Sequence, residues 1–331
     1  MENNILLSIC MPTYNRLHHI QRQIHYFIKE MESVDLKNVE IIVSNNASTD
    51  DTGTFLAQYE GKFEWLRINN NKENIGAYSN MTLLLQMASG KYIWIPGDDD
   101  YLKKGLVKRV YNILSNNNLS YLYISRRTIN EKTCIIEKEG KKHCVEYDKP
   151  IEVSYPQIVS LLKENYGDLK FQTSSVFERE RALVYYKEAS FYPEDTQANC
   201  HSLFKSVRAI QEGKSFFISD VCILNGMDIS WGDSFIHYVF ECDPLFVSGL
   251  SKFGIKQKDC YMIRKRQIAA AVLGCIANKS LWGLWKKSGY VGWSTNLLPV
   301  IVYLSFRKII RAFGMSKTYL TAEVDFEEFK S

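Results

Sequence analysis

Lys91-Tyr92-Ile93-Trp94-Ile95-Pro96-Gly97-Asp98-Asp99-Asp100 decides the fold. Four apolar residues, Tyr92 to Ile95, form a strand core that runs into a proline, a glycine and three consecutive carboxylates. Adjacent aspartates repel one another, and a cation among them relieves the repulsion. Hard oxygen donors suit Mg²⁺ or Mn²⁺, which keep several waters and share a substrate's phosphates. Alone, the segment also fits a solvated acidic turn, because Asp and Gly are common turn residues. The sequence upstream separates the two readings.

Ile5 to Met11 is a nearly continuous apolar run, the pattern of a strand buried on both faces, and it is expected to end at Pro12. Thr13 to Arg16 is a polar loop, after which Ile20, Ile24, Phe27, Ile28 and Met31 recur at helical spacing. A second strand, Val39 to Ser44, is followed by Asn45-Asn46-Ala47-Ser48-Thr49-Asp50-Asp51. A third, Trp65 to Ile68, leads to Asn74-Ile75-Gly76 and a helix over Ala77 to Ala88 that Gly90 would cap. Alternating strands and helices predict a mostly parallel sheet covered on both faces, with ligands bound beyond the carboxyl ends of its strands. Every polar cluster above falls at such an end, so one crevice collects them. No G-x-G-x-x-G loop and no G-x-x-x-x-G-K-[ST] loop occurs, which argues against dinucleotide dehydrogenases and P-loop enzymes.

Composition narrows the class further. The chain has 331 residues, 46% hydrophobic and 13% aromatic, enough for a large core in one big domain with an appendage or in two domains. Lys and Arg number 41 against 37 Asp and Glu, a net charge of +4 that gives no footprint for nucleic acid. Eight cysteines lie scattered without a C-x-x-C pair, and no secretory signal pattern leads the chain, so a reducing cytoplasm is expected.

Pro12-Thr13-Tyr14-Asn15-Arg16, Ser44 to Asp50, Asn74-Ile75-Gly76 and Gly97 to Asp100, in that order, resemble the signature of family 2 glycosyltransferases with the GT-A fold. The likeness covers roughly the first third of the chain. It implies a nucleotide-sugar donor, a divalent metal (Mn²⁺ or Mg²⁺) and an acceptor bound by the C-terminal portion. Carried over, the pattern puts Tyr14 against the base, Pro12 and Thr13 on the ribose side, and Asn15, Arg16, Asn74 and Gly76 around the donor. Asp99 becomes the metal ligand and Asp98 lies near the ribose or the metal's waters, while a one-residue slip would bring in Asp100. The family's usual acid in the second motif falls on Asn45, a departure. An amide there can accept from uracil or donate to N3 of cytosine, so UDP-, dTDP- and CDP-linked donors all stay open.

Inverting transfer needs a base for the acceptor hydroxyl. Asp195, with Glu194 beside it, stands just before a helical pattern, as an acidic pair does in many relatives. Leu169 to Phe177 reads as a second-half strand near the acceptor, and Trp231-Gly232-Asp233 as a candidate sugar platform. Towards the C-terminus Trp282, Trp285 and Trp293 mix with Lys286 and Lys287, and no run reaches the ~18 apolar residues of a spanning helix. That pattern suits peripheral contact with a membrane surface on the cytoplasmic face, or packing on the catalytic domain. The expected organisation is a GT-A catalytic domain over 1-250 (nucleotide-sugar half 1-125, acceptor half 126-250) and a helical region over 251-331. The expected function is metal-dependent glycosyl transfer to a glycan or lipid-linked acceptor in surface-polysaccharide synthesis. A nucleotidyltransferase and a non-catalytic nucleotide-sugar-binding scaffold are the alternatives.

Overall fold

The computed structural model describes residues 5–32, 38–130, 135–136, 148–226, 237–277 and 326–329. In chain order the elements begin β1 (Leu7–Thr13), α1 (Leu17–Glu32), β2 (Val39–Asn45), α2 (Thr52–Ala57), β3 (Leu66–Asn70), α3 (Ala77–Met87) and β4 (Tyr92–Trp94). They continue with β5 (Tyr101–Leu102), α4 (Leu106–Asn116), β6 (Tyr121–Asn130), β7 (Ile135–Ile136), β8 (Pro150–Ile151), α5 (Tyr155–Glu164) and α6 (Tyr166–Lys170). The last are β9 (Ser175–Glu178), α7 (Arg179–Ala189), α8 (Glu194–Glu212), β10 (Ser215–Gly226), α9 (Asp243–Gly249) and α10 (Gln257–Ala277).

The strands form one mixed sheet in the order β3-β2-β1-β4-β9-β6-β10-β5, with β7 on β6 and β8 on β10. The first four strands run parallel, as the βαβ spacing requires, and β9 enters antiparallel between β4 and β6. Successive side chains point to opposite faces of a strand, so burial on both sides makes the apolar runs continuous. Leu7, Ile9 and Met11 join Ile41, Val43, Tyr92 and Trp94 under α1 and α4. Cys10, Ile42 and Ile93 face the other way, into a core shared with α3, α5, α7, α8, α9 and α10.

Three expectations are corrected. β1 does not stop at Pro12 but runs to Thr13, pairing Pro12 with Ser44. Thr13 turns its carbonyl to the β2 side, where Asn46 N–H donates to it at 2.9 Å, so Pro12 faces the β4 side. Pairing with β4 ends at Ile9, so the missing N–H leaves no ladder partner orphaned. Gly90 does not cap α3, which ends at Met87 with Ala88 extended. Its role is close approach: a Cβ there would meet the Ser8 backbone nitrogen and hydroxyl at 2.7 Å. Leu169 to Phe177 is not one strand but the end of α6, a 3₁₀ turn at Gln172–Ser174 and only then β9.

Among the described residues no helix is long and apolar enough to cross a membrane. The Trp282, Trp285, Trp293, Lys286 and Lys287 pattern and Trp231-Gly232-Asp233 lie outside the described residues.

Candidate active site

The loops after β1, β2 and β4 meet at one end of the parallel half of the sheet. Thr13 Oγ1 donates to Asp98 Oδ2 at 2.7 Å. Arg16 Nη1 reaches Asp98 Oδ1 at 2.9 Å and Asp99 Oδ2 at 2.6 Å. The acidic motif therefore has a cation of its own, supplied by the first motif. Asn15 takes a left-handed conformation (φ 52°) and ties the β1 loop to the β2 loop, accepting Thr49 N–H at 2.7 Å and donating to Thr49 Oγ1 at 3.1 Å. Asn is among the few residues that adopt such a φ readily.

The three aspartates have three environments. Asp98 is 4% exposed, and burial raises its carboxyl against the pull of Arg16. Asp100, also 4% exposed, turns inward to accept the Thr173 hydroxyl; burial, then neighbouring Asp99, push it up to about 7. Asp99 keeps its side chain 37% exposed. Gly97 makes the turn possible, since a Cβ would stand 2.7 Å from Asp100 Oδ2 and 2.8 Å from Asp99 Oδ1. From α1, Arg22 Nη2 donates to the Asp99 carbonyl at 2.7 Å, and Gln23 holds the Gly97 carbonyl at 3.1 Å.

Thr173, read from the sequence only as part of a strand, locks this turn from the other half of the sheet. Its hydroxyl accepts Gly97 N–H at 2.8 Å while donating to Asp100, and its carbonyl accepts Trp94 Nε1–H at 2.7 Å. Thr173→Val keeps the shape and orphans two buried polar groups. It is expected to cost about 2 kcal/mol or more in urea unfolding, while a change below about 0.5 kcal/mol would contradict this role.

Beyond β2 the floor is built of asparagines. Asn46 Nδ2 donates to Asn74 Oδ1 at 2.7 Å, and Asn74 Oδ1 also accepts Gly76 N–H at 2.9 Å. Asn45 sits at 4% exposure, Tyr14 at 40% on the rim, and Gly76 uses a φ of 84° to open α3. Hydrogen bonds thus tie Thr13, Asn15 and Arg16 to Asp98, Asp99 and the β2 loop, and Asn46 ties Asn74, and through it Gly76, to the same end of the sheet.

Glu194 and Asp195 stand apart from that cluster, exposed in the first turn of α8. Asp195 Oδ2 lies 3.3 Å from His237 Nε2, a neighbour that sequence reasoning missed. The link to the aspartates runs through His201 on the same helix. Six residues after Asp195, His201 is about 9 Å along the axis at ~1.5 Å per residue. Its Nε2 lies 3.1 Å from the Gln172 side chain, next to Thr173, and its ring is 5.3 Å from that of Tyr78 on α3.

Burial, then Lys205, lowers His201 to about 3. The folded protein keeps this ring neutral while the unfolded chain protonates it near ~6.5. Its contribution is complete above that pH and is lost as pH falls toward 3, with a slope of up to about 1.4 kcal/mol per pH unit. His201→Gln should flatten that part of the stability curve between pH 6.5 and 4, measured by urea unfolding at a series of pH values.

A divalent cation fits this donor set in one way. Among the described residues no three metal-ligating side chains converge. Asp99, the exposed carboxylate, is the oxygen ligand open to a cation, whose shell donor phosphates and water would complete.

The mixed sheet and the loops gathered at the ends of its parallel strands define a GT-A fold. The structure is similar to Staphylococcus aureus TarS 1-349 in complex with UDP-GlcNAc (TM-score 0.57, 17% identity, 80% of this chain and 72% of that one). It is also similar to the mannosyltransferase PcManGT of Pyrobaculum calidifontis in complex with GDP-Man and Mn²⁺ (TM-score 0.51, 12% identity, 93% and 81%). Residues 8–175 match Glycosyl transferase family 2, and the chain belongs to that family. Among curated relatives it is 31% identical to the abequosyltransferase RfbV of Salmonella typhimurium over 125 residues, 38% of this chain and 37% of the relative. It is 27% identical over 197 residues to the GalNAc(5)-diNAcBac-PP-undecaprenol beta-1,3-glucosyltransferase of Campylobacter jejuni, 56% of this chain and 61% of that enzyme.

Proposed function

We propose that this protein transfers a sugar, with inversion, from a nucleoside-diphosphate donor to a glycan or lipid-linked acceptor in bacterial surface-polysaccharide synthesis. The observation that carries the reading is the joining of the first and fourth motifs by Arg16, Asp98 and Asp99 at the carboxyl ends of β1 and β4. Family membership and the names of the Salmonella and Campylobacter relatives support the class of reaction and of product.

Tyr14 borders the base and Thr13 the ribose, with Asn45, Asn74 and Gly76 around them. Asp98 is held by Thr13 and Arg16 and so stays fixed as the donor enters. Asp99 would hold Mn²⁺ or Mg²⁺, whose charge would stabilise the departing diphosphate. The acceptor oxygen attacks the anomeric carbon opposite the diphosphate, Asp195 takes the hydroxyl proton, and the diphosphate leaves with the electrons of the broken C–O bond. Glu194 adds negative charge beside that base. α10 shares the core of the catalytic domain, and a lipid-linked acceptor would bring the enzyme to the cytoplasmic face of the membrane. Flotation with anionic liposomes checks that placement, and absence of binding would remove it.

Calorimetric titration of UDP, CDP, dTDP and GDP with and without Mn²⁺ tests the donor site. Metal-enhanced binding of one diphosphate, weakened in Asp99→Asn, is expected. Binding of none would overturn the reading.

A further inference from the structure

We propose that residues 326–329 position the acidic turn for the donor's diphosphate, acting through Tyr101 and Arg22. The inference rests on the donor-site reading above and adds positioning residues that lie far along the chain from its motifs.

Phe326-Glu327-Glu328-Phe329 forms one 3₁₀ turn. With three residues per turn, side chains three apart fall on one side, so the two phenylalanines meet the sheet together. Phe329 is 2% exposed and packs with Ile129 of β6 and Leu224 of β10, and Phe326 lies against the same cluster. The Glu328 carbonyl accepts Lys104 N–H at 2.9 Å, and Glu328 Oε2 lies 2.7 Å from Lys103 Nζ. That ion pair is partly exposed on both sides and contributes little by itself, so the hold comes mainly from burying Phe329.

What the segment covers is the strand that continues the acidic motif. Asp100 is followed at once by β5, a strand of two residues at the edge of the sheet. Its ladder pairs Leu102 with Ile223 and Tyr101 with Leu224. So short a pairing is marginal alone and needs cover from other residues. Thr173 locks the near side of the turn, at Gly97 and Asp100. Residues 326–329 hold the far side, from Tyr101 to Lys104.

A chain of contacts carries this hold back to the aspartates. Phe326 meets the Tyr101 ring in a T-shaped arrangement, with centroids 5.5 Å apart. Arg22 lies over the same ring, its guanidinium carbon 3.7 Å from the centroid. Arg22 Nη2 donates to the Asp99 carbonyl at 2.7 Å and to the Asp100 carbonyl at 3.3 Å. Tyr101 thus links Phe326 to the arginine that holds the backbone of Asp99, whose carboxylate is the one open to a cation. Both ring contacts depend on geometry, so a Tyr101 that shifts takes the Arg22 bonds with it.

Amide hydrogen exchange of the full chain, and calorimetry with UDP, CDP, dTDP and GDP each with and without Mn²⁺, test this role. In Phe326→Ala and Phe329→Ala, the amides of residues 98–104 should exchange about tenfold faster or more, while those of β2 stay as in wild type. The diphosphate that wild type binds should lose about fivefold or more of its Mn²⁺ enhancement, with metal-free binding within about twofold. General loss of stability would not divide the two in that way. Phe63→Ala, which breaks a ring stack with Trp65 just before β3, is the control and should leave both readouts as in wild type. Unchanged exchange or an unchanged Mn²⁺ enhancement in Phe326→Ala would overturn the proposal. That variant removes a half-buried ring and carries the test even if Phe329→Ala does not fold. If wild type binds no diphosphate, the donor-site reading itself fails and the proposal falls with it.

Discussion

Asp99→Asn is expected to lower kcat/KM at least about a hundredfold with little change in melting temperature. Asp99 is the one exposed carboxylate of the three, so the amide fits its place without burying an unpaired group. Arg16 keeps Asp98 as a partner at 2.9 Å, and the turn stays locked through Gly97 and Thr173. What the variant loses is a negative charge at the point where, in the proposed mechanism, a cation meets the diphosphate. Removing one such electrostatic contact raises the barrier by about 3 kcal/mol, a little over a hundredfold in rate. Asp100→Asn should behave differently, because that carboxyl is buried against Thr173 and contributes to the turn itself. Steady-state rates beside thermal melts separate the two cases. A loss below about fivefold in Asp99→Asn would contradict the assignment.

Asp195→Asn should lower kcat by about a hundredfold to ten-thousandfold, the usual scale for removing a general base. Asp195 is the second residue of α8, where an asparagine forfeits only a helix-dipole contribution of about 0.3–1 kcal/mol, so the helix should persist. The side chain is 74% exposed, leaving room for an acceptor hydroxyl, and His237 at 3.3 Å can orient the carboxylate. Because the effect falls on proton removal, donor binding should stay within about twofold of wild type. A kcat loss of less than about tenfold would move the proton acceptor elsewhere, and Glu194→Gln is then the variant to compare.

Three of the four motifs were legible as strand ends because each lies at the end of a strand whose apolar run marks it as buried, whereas Asn74 to Gly76 follows the half-exposed edge strand β3 only after a short loop. That rule needs no knowledge of side-chain contacts. It fails where one pattern suits two conformations. Leu169 to Phe177 alternates enough to read as a strand, yet Thr173 sits in a 3₁₀ turn whose value lies in two hydrogen bonds to the acidic loop and one to Trp94 on β4. Gly90 reads as a helix cap because glycine often serves there, whereas its position is set by the approach of β1 in space. Arg16 was named as a donor-site residue, and its pairing with Asp98 and Asp99 could have been inferred, since three carboxylates need a cation and it is the nearest one in the motifs. The docking of residues 326–329 was beyond reach. Two phenylalanines three apart mark one apolar side, but nothing in the sequence names β5 and its neighbours as the surface they cover.

The central claim is transfer chemistry at the crevice, and release of nucleoside diphosphate from a panel of nucleotide sugars with Mn²⁺ tests it most directly. The expected result is diphosphate released from one donor class, faster when a lipid-linked glycan acceptor is added and lost in Asp99→Asn. Binding of a nucleotide sugar without release from any member of the panel, with or without acceptor, would contradict the claim and leave a binding protein of the same fold.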